Sequence, residues 1–470
     1  MKKYLYTVLL SLLVCVSGKA EDWFESGLFR YEILSYVGSG GTVKITGFSR
    51  NTNSDDIETL DIPTEVPTYS FKIVEIGDNA FSYSRNLKKV TMSNSITKIG
   101  NNAFRRCYEL ETISLSSAIK EIGNFAFEGC TSLMSSTIPN SVKSIGQSAF
   151  QNCCSLEQIS LPKDLEVINE SLFRGCTYLI DIVLPSSIIE IDDYAFSGCN
   201  TLQNIVLPEG LLYIDDYAFR GCNALQNIVL PEGLLYIGNF SFSDCLGLKS
   251  VSIPKSLKEI GMNPFKGCSS MDFLLLNDNS YYHLYDGALY QTDILKLISC
   301  PVAKTKLEIE PLTEIFSYSC FAGCVNLEEI TIPKTIREIC FDAFSGCTSL
   351  KTIQCEIEDV YSCNPGFSNY DASLLVPKGM IDIYSSVEPW KNFKNIKEIS
   401  SSGLEEVLDY SESGIYIIDR QIYFESKESV QIRNLSGQIL YEGSSTFIPK
   451  LDFGIYLLTW SNRTLKVLVQ

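Results

Sequence analysis

Phenylalanine recurs along this chain every 23 residues, and a cysteine follows most of these phenylalanines three residues later. A period of roughly 20–50 residues is typical of repeat architectures. The step runs through nine phenylalanines without an insertion and resumes after one interruption. The phenylalanines are Phe81, Phe104, Phe127, Phe150, Phe173, Phe196, Phe219, Phe242 and Phe265, then Phe321 and Phe344; the cysteines are Cys107, Cys130, Cys153, Cys176, Cys199, Cys222, Cys245 and Cys268, then Cys324 and Cys347.

Each unit combines two local patterns of apolar residues. Ile228 and Leu230 alternate as residues of a β-strand do. Leu234 and Ile237 begin a second extended side, and the segment around Phe219 is expected to form a short helical turn. The apolar residues of one unit therefore point into a common interior.

One such unit buries too little apolar surface to fold alone, so neighbouring units must share a core. The sequence therefore predicts a repeat solenoid. We expect a right-handed stack of leucine-rich coils with short β-strands, short helical turns and one continuous apolar spine of phenylalanine and cysteine. Ser136 occupies a strand position that holds isoleucine in other units, which predicts a weak point in that core.

The repeat is interrupted once and is bounded by different sequence at both ends. Tyr281 to Tyr290 predicts a β-hairpin around Asp286-Gly287. A Ser-rich linker at 400–403 precedes short alternating runs that suggest a small C-terminal β-sandwich. The expected domains are a signal peptide at 1–20, an N-terminal β cap at 21–76, repeats at 77–277, an irregular hairpin-containing coil at 278–313, repeats and a C-terminal cap at 314–399, and a β-sandwich at 404–470.

The N-terminus has the pattern of a secretory signal. Lys2 and Lys3 precede an apolar run at residues 5–16, and Gly18 and Ala20 are the small residues of a cleavage site. Cys15 leaves a lipoprotein signal as the less favoured alternative, because the preceding Val14 is bulky for that motif. We therefore expect a secreted or outer-surface protein without a transmembrane segment.

Charge and composition narrow the function classes. The chain has 38 Lys and Arg against 56 Asp and Glu, a formal charge of −18. Nucleic acid and anionic membranes are thus disfavoured as partners, whereas basic proteins and divalent cations remain open. The single histidine, His283, is expected to be a hairpin residue rather than a general base. No catalytic residue, metal site or cofactor is predicted.

The cysteines and the paired aspartates each allow two interpretations. The repeat cysteines are expected to be buried free thiols, although stacked Cα atoms are close enough for disulfides. Asp192-Asp193 and Asp215-Asp216 are expected to cap turns, with calcium binding as the alternative. Better disulfide candidates are the adjacent pair Cys153-Cys154, of which Cys154 lies off the repeat position, and the other off-repeat cysteines Cys300, Cys320, Cys340, Cys355 and Cys363.

Polar and aromatic residues at variable strand positions recur on successive coils. Regular arrays of this kind suit contacts with proteins or glycans, and they also suit the plain exposed face of a solenoid. Tyr194 and Tyr217 are expected to stack in the same way. The candidate interaction stripe consists of Gln203, Asn204, Gln226, Asn227, Tyr213 and Tyr236.

The unit AFxxCxxLxxIxLPxxLxxIG resembles the leucine-rich repeat of BspA-like surface proteins of Bacteroidota, which is related to a treponemal repeat. Residues 286–301 resemble a hairpin coil that interrupts such arrays, and residues 374–399 resemble their C-terminal cap. The last 65 or so residues resemble a type IX secretion sorting domain, with a plain β-sandwich stalk as the alternative.

The resemblance implies adhesion to protein or glycoprotein ligands, with host extracellular matrix among them, and co-aggregation with other bacteria. It also implies contact with the secretion machinery through the C-terminal domain. A structural spacer that displays or exports a C-terminal module is the alternative function.

Overall fold

A computed structural model of the chain describes residues 22–38, 40–67, 69–271, 273–276 and 279–399, and six strands beyond residue 414. The chain divides into two compact units, Met1–Glu398 and Ile399–Gln470. The segments predicted as a signal peptide at 1–20 and a linker at 400–403 lie outside the described residues. No helix in the described part of the chain has the length and apolar character needed to cross a membrane.

The first unit begins with an antiparallel meander that leads into the coils. Its third strand pairs in parallel with the fifth, so the meander provides the first rung of the stack. A 3-10 helix at Ser54–Asp56 follows the meander. The strands are β1 (Trp23–Ser26), β2 (Phe29–Val37), β3 (Gly40–Phe48), β4 (Thr59–Ile62) and β5 (Ser70–Ile76).

Each coil contributes one strand to each of two parallel rows. The pairing joins residues 23 apart, as in Ile191 with Ile214, which confirms the solenoid. The first row continues from β4 through β6 (Lys89–Met92), β8 (Thr112–Ser114), β10 (Ser135–Thr137), β12 (Gln158–Ser160), β14 (Asp181–Val183), β16 (Asn204–Val206), β18 (Asn227–Val229), β20 (Ser250–Ile253) and β22 (Phe273–Leu276). The second row continues from β5 through β7 (Lys98–Ile99), β9 (Glu121–Ile122), β11 (Ser144–Ile145), β13 (Val167–Ile168), β15 (Glu190–Ile191), β17 (Tyr213–Ile214), β19 (Tyr236–Ile237) and β21 (Glu259–Ile260).

The third side of each coil, where a short helical turn was predicted, is a run of β-turns. The Tyr217 and Gly221 backbones adopt positive φ angles of 57° and 71°, which interrupts a helix. The Phe219 N–H donates to the Ser241 carbonyl of the next coil at 2.7 Å, whereas the Cys222 N–H donates back to Phe219 at 3.2 Å. Alternate N–H groups thus bind the neighbouring coil and their own turn.

The repeat phenylalanines and cysteines form the core between these three sides. The rings of consecutive coils from Phe81 to Phe265 stack with centroids 5.2–6.1 Å apart. The side chains of the predicted repeat core are all buried, namely Phe104, Phe127, Phe150, Phe173, Phe196, Phe219, Phe242, Phe265, Cys107, Cys130, Cys153, Cys176, Cys199, Cys222, Cys245 and Cys268.

The predicted hairpin is present, and it divides the core. Its turn at Asp286 and Gly287 has φ angles of 45° and 80°, as a two-residue hairpin turn requires. Among the described residues, the buried apolar side chains before and after the hairpin form two clusters, so the expected single continuous spine is interrupted here. The strands involved are β23 (Tyr282–Tyr285), β24 (Ala288–Gln291) and β25 (Lys296–Ser299).

Polar contacts occupy the point where the core divides. The buried Asn263 accepts from the Ser299 hydroxyl at 2.7 Å and donates its amide to the Ser319 carbonyl. The turn side nevertheless continues across the interruption. A β-carbon built on Gly323 would lie 3.7 Å from the Gly267 nitrogen, which equals the spacing of Gly198 from Gly175.

The second block of coils ends in a cap built around the buried Trp390. Helix α1 (Ile381–Tyr384) and a 3-10 helix at Trp390–Asn392 precede the last strand. The strands are β26 (Lys306–Leu307), β27 (Ile315–Phe316), β28 (Glu329–Ile332), β29 (Glu338–Ile339), β30 (Thr352–Cys355), β31 (Ser373–Val376) and β32 (Asn395–Glu398).

The second unit is a small antiparallel β region. Its first two described strands pair with each other, and the remaining four form one antiparallel sheet. The strands are β33 (Ile415–Ile418), β34 (Gln421–Phe424), β35 (Val430–Asn434), β36 (Ile439–Gly443), β37 (Gly454–Trp460) and β38 (Arg463–Val469).

Candidate interaction surface

The first row of strands presents a repeated outward pattern in coils 178–243. In β16 the Ile205 side chain points inward, and Asn204 and Val206 point outward, because successive side chains of a strand alternate between faces. The strands on either side, β14 and β18, repeat this pattern in register. We call this surface the valine face and define it by Asp181, Val183, Asn204, Val206, Asn227 and Val229.

The valines of this face are unusually accessible. Val183, Val206 and Val229 are 84%, 81% and 77% exposed. Other coils place small polar residues at the same repeat position, namely Thr91, Ser114, Thr137, Ser160 and Ser252. The sequence-based stripe did not include these valines, although they recur at a 23-residue step in a position that serine or threonine holds in the coils on either side.

The six residues of the predicted stripe lie on two different sides of the coils. Gln203 and Gln226 immediately precede β16 and β18, and Asn204 and Asn227 are the first residues of those strands. All four are exposed on or beside the valine face. In contrast, Tyr213 and Tyr236 pair with each other in the second row. The structure therefore brings together the four amide side chains and separates the two tyrosines from them.

A stack of aromatic rings runs along the turn side. Tyr194 and Tyr217 stack with ring centroids 4.8 Å apart, and Phe240 extends the stack at 5.3 Å. Arg174 lies over Tyr194 at 4.9 Å, and Arg220 lies over Tyr217 at 5.8 Å. Since the ring faces contact each other and the cations, mainly the ring edges remain available.

One carboxylate of each aspartate pair binds the backbone of the next coil. The Asp193 carboxylate accepts from the Asp216 N–H at 2.8 Å, and the Asp216 carboxylate accepts from the Asn239 N–H at 2.7 Å. Asp78 and Asn101 do the same in earlier coils. The aspartates thus satisfy turn N–H groups, as the first interpretation expected, although the donors belong to the following coil.

The other carboxylate of each pair joins a small acidic cluster. Glu190, Asp192 and Asp215 each offer an oxygen, and these oxygens all lie within 4.8 Å of one another. Burial and the neighbouring carboxylates of Glu190 and Asp192 raise the pKa of Asp215 to about 7. Burial is likewise the largest cause that raises the pKa of Asp193. Protonation of one carboxyl relieves this repulsion, and we assign no metal to the cluster.

The repeat itself matches a known family. The model of the BspA type leucine rich repeat region matches residues 74–203, 143–272, 189–310 and 313–374, which together cover more than half of the chain. The chain belongs to the BspA-type leucine-rich repeat family. No curated protein matches it.

Solved structures are similar to this BspA-type chain. A leucine-rich repeat protein from Bacteroides ovatus ATCC 8483 is 26% identical, with a TM-score of 0.50, over 73% of this chain and 99% of that one. A leucine rich cell surface protein from Faecalibacterium prausnitzii A2-165 is 22% identical, with a TM-score of 0.45, over 82% of this chain and 97% of that one. The first similarity supports the solenoid fold.

The cysteines of this BspA-type array are free thiols throughout the described residues, including the positions off the repeat. The repeat thiols mostly donate to a phenylalanine carbonyl of the preceding coil, as Cys107 does to Phe81 at 3.2 Å. Burial raises the pKa of Cys107 and of Cys268 to about 12. Because the thiolate is the reactive form, these cysteines act as small core residues rather than nucleophiles.

His283 lies on β23 of the hairpin, as the sequence suggested. Its Nε2 is 2.7 Å from Glu310 Oε2, its Nδ1 is 3.2 Å from the Thr292 hydroxyl, and its ring stacks on Tyr290. Both ring nitrogens therefore have partners that fix the hairpin against the following segment. These contacts are those of a structural residue that holds the hairpin in place.

Proposed function

We propose that this BspA-type protein is displayed on the cell surface or secreted, and that it binds host or bacterial macromolecules without catalysing a reaction. Membership in a leucine-rich repeat family and the solenoid fold support a protein-interaction role. Protein or glycoprotein ligands, including those of host extracellular matrix, are the proposed partners. The signal-like residues 1–20 support export.

The repeated outward pattern of the first strand row is the observation that carries the proposal. Gln203, Asn204 and Val206 recur one coil later as Gln226, Asn227 and Val229. These side chains are exposed, so they are not needed to fill the core. A regular surface of amides and apolar groups can contact a protein over several coils at once.

Binding assays on the full secreted chain test the proposal. Immobilised protein is exposed to purified matrix and plasma glycoproteins and to bacterial surface proteins, and saturable binding is measured by biolayer interferometry. We expect a variant with Gln203, Asn204, Gln226 and Asn227 changed to alanine to lose about tenfold or more in affinity. The exposed Asn326→Ala variant, in the second repeat block, is the matched control.

A structural spacer is the competing function, and the same variants distinguish it. A spacer predicts that all exposed substitutions are silent in adhesion of whole cells. Saturable binding that is lost in the four-residue variant, with an unchanged melting temperature, contradicts the spacer. No binding across the panel by folded protein contradicts the proposal.

Residues 404–470 are proposed to act as a type IX sorting domain that is removed during export. Short antiparallel strands in this unit are compatible with that role. Mass spectrometry of surface-bound protein from the native organism tests it, and mature protein that ends before residue 404 is the expected result. Surface-bound protein that retains residues 404–470 contradicts the sorting role.

A further inference from the structure

We propose that the valine face docks the β-sheet surface of a partner protein, and that the partner carries basic side chains around an apolar row. This inference rests on the proposed function, because it names the chemistry of the partner for the same face. It draws on the exposure of the valines, the charge around them and the spacing of the strands.

The valines form the apolar part of the docking surface. Three exposed β-branched side chains follow one another in the middle of a sheet, where the neighbouring coils have serine or threonine. Ile180 and Tyr178, which are also exposed, immediately precede the first of these strands. Contiguous exposed apolar residues rimmed by polar ones mark interaction sites.

The charge around the face points to a basic partner. Residues 178–243, here called the central coils, contain eight acidic residues and one basic residue. Arg220 is already paired with Asp244, and among the described residues Asp181 and Glu209 form no ion pair. The acidic residues are Asp181, Glu190, Asp192, Asp193, Glu209, Asp215, Asp216 and Glu232. Of these, Asp181 lies on the valine face, and Glu209 and Glu232 follow its strands by three residues, whereas the other five lie in or just after the second row of strands.

The spacing of the valines favours a sheet over a single extended peptide. Val183, Val206 and Val229 lie on adjacent parallel strands, which are about 4.8 Å apart. Same-face residues of one extended peptide recur only every 6.6 Å or so. The strands of a second sheet have the matching spacing and can pack face to face at about 10 Å.

Charge also disfavours two other occupants of the valine face, namely a second copy of this protein and its own residues 399–470. A second copy that offered the same face would add the carboxylates of Asp181 and Glu209 again and no basic residue to complement them. Residues 399–470 contain nine acidic and six basic residues, so they supply no net positive charge. A separate basic protein is the occupant that complements the face.

The experiment uses the full chain and two β-sandwich domains of one fold as probes, one with a basic sheet surface and one with an acidic sheet surface. We expect biolayer interferometry to show saturable binding of the basic domain alone, weakened by added salt. Val183→Thr, Val206→Thr and Val229→Thr together should reduce the affinity roughly 10- to 100-fold. Threonine keeps the shape of valine and occurs naturally at this position in other coils.

Two control variants separate apolar contact from charge. Val325→Thr, at another exposed valine, should leave the affinity unchanged. Asp181→Asn with Glu209→Gln should weaken binding and reduce its salt dependence. Equal binding of both probes, undiminished binding by the triple valine variant, or valine-dependent self-association in analytical ultracentrifugation would each overturn the inference.

The outcomes also separate this inference from the proposed function. If a matrix glycoprotein binds through Gln203 and Asn204 while the triple valine variant binds it equally well, only the partner chemistry is wrong. If neither the basic domain nor any glycoprotein binds, both proposals fail.

Discussion

The N-terminal coils at residues 77–142 and the central coils at residues 178–243 have the same length and the same repeat, yet they present different surfaces. The N-terminal coils contain seven basic and five acidic residues, whereas the central coils contain one and eight. Ion pairs join successive N-terminal coils, as in Lys98 with Glu121 at 2.9 Å. In the central coils, stacked carboxylates face each other instead, as Asp192 and Asp215 do.

This difference shows how a strict repeat divides its residues between two tasks. The inward positions are fixed by stacking, so Phe104 and Phe219 have equivalent environments. The outward positions carry no such constraint, so threonine at residue 137 and valine at residue 206 are both compatible with the fold. Surface chemistry can therefore differ between coils without altering the core.

The largest expected effect is a loss of stability on removal of a repeat phenylalanine. This loss should be the same in the two regions. Phe104→Ala and Phe219→Ala each remove a fully buried ring that stacks on both neighbouring coils. Each should lower the free energy of unfolding by about 3–5 kcal/mol. Urea denaturation followed by circular dichroism measures both. Costs that differ by more than about 2 kcal/mol would show that the two cores are not equivalent.

The ion pair between Arg105 and Glu128 in the N-terminal coils should contribute more to stability than the ion pair that Arg220 of the central coils makes with Asp244. Glu128 is buried and binds Arg105 Nε at 2.7 Å, so Glu128→Gln should cost about 1–3 kcal/mol. Asp244 pairs with Arg220 at 3.5 Å with both side chains half exposed, so Asp244→Asn should stay within about 0.5 kcal/mol. Thermal and urea unfolding of the two variants measure these losses of stability. Equal losses would contradict the larger contribution of the Glu128 ion pair.

A buried serine in a strand of the N-terminal coils can be replaced to gain stability. Ser136 is buried, its hydroxyl has no hydrogen-bond partner, and it pairs with Ile159 of the next coil. Ser136→Val should therefore raise the free energy of unfolding by about 1 kcal/mol. Ser135→Val, outward on the same strand, is the control and should change it little. A loss of stability in Ser136→Val would show that the site lacks room for the added methyl groups.

The smallest effect depends on pH and belongs to the central coils. The raised pKa of Asp215, about 7, means that the folded chain holds a proton that the unfolded chain has lost between about pH 4 and pH 7. This group therefore destabilises the fold increasingly as the pH rises through that window. Asp215→Asn should stabilise the protein by less than about 1 kcal/mol at pH 8 and not at pH 3.5.

Denaturation of Asp215→Asn at both pH values provides the check. The exposed Asp181→Asn variant should show little difference between them. Stabilisation by Asp215→Asn that is equal at both pH values would exclude carboxylate repulsion as its cause.

Most of the fold could be predicted from the repeat step, because a 23-residue period determines both the parallel register of the strands and which residues point inward. The hairpin at Asp286-Gly287 was also predictable, since its turn residues are specific. The division of the core at Asn263 was not, because it arises from contacts with Ser299 and Ser319, which are distant in sequence.

The candidate surface was only partly predictable. The exposed amides at Gln203 and Asn204 follow from their polar character and their repetition. The position of Tyr213 on another side follows from how far the chain turns between the two strands, which composition does not specify. The valines escaped notice because an apolar residue in a strand is ordinarily assigned to the interior.

Gly323 stacks on Gly267 as the glycines of consecutive regular coils stack on each other. The segment that interrupts the array can therefore be removed without breaking the repeat. The two glycines occupy equivalent places in successive turns, so a chain in which Lys266 led directly to Gly323 would preserve the 23-residue step. The intervening 56 residues then amount to a cassette inserted between two regular coils. Such an array can lengthen, shorten or acquire a new hairpin at this junction while the remaining coils keep their register.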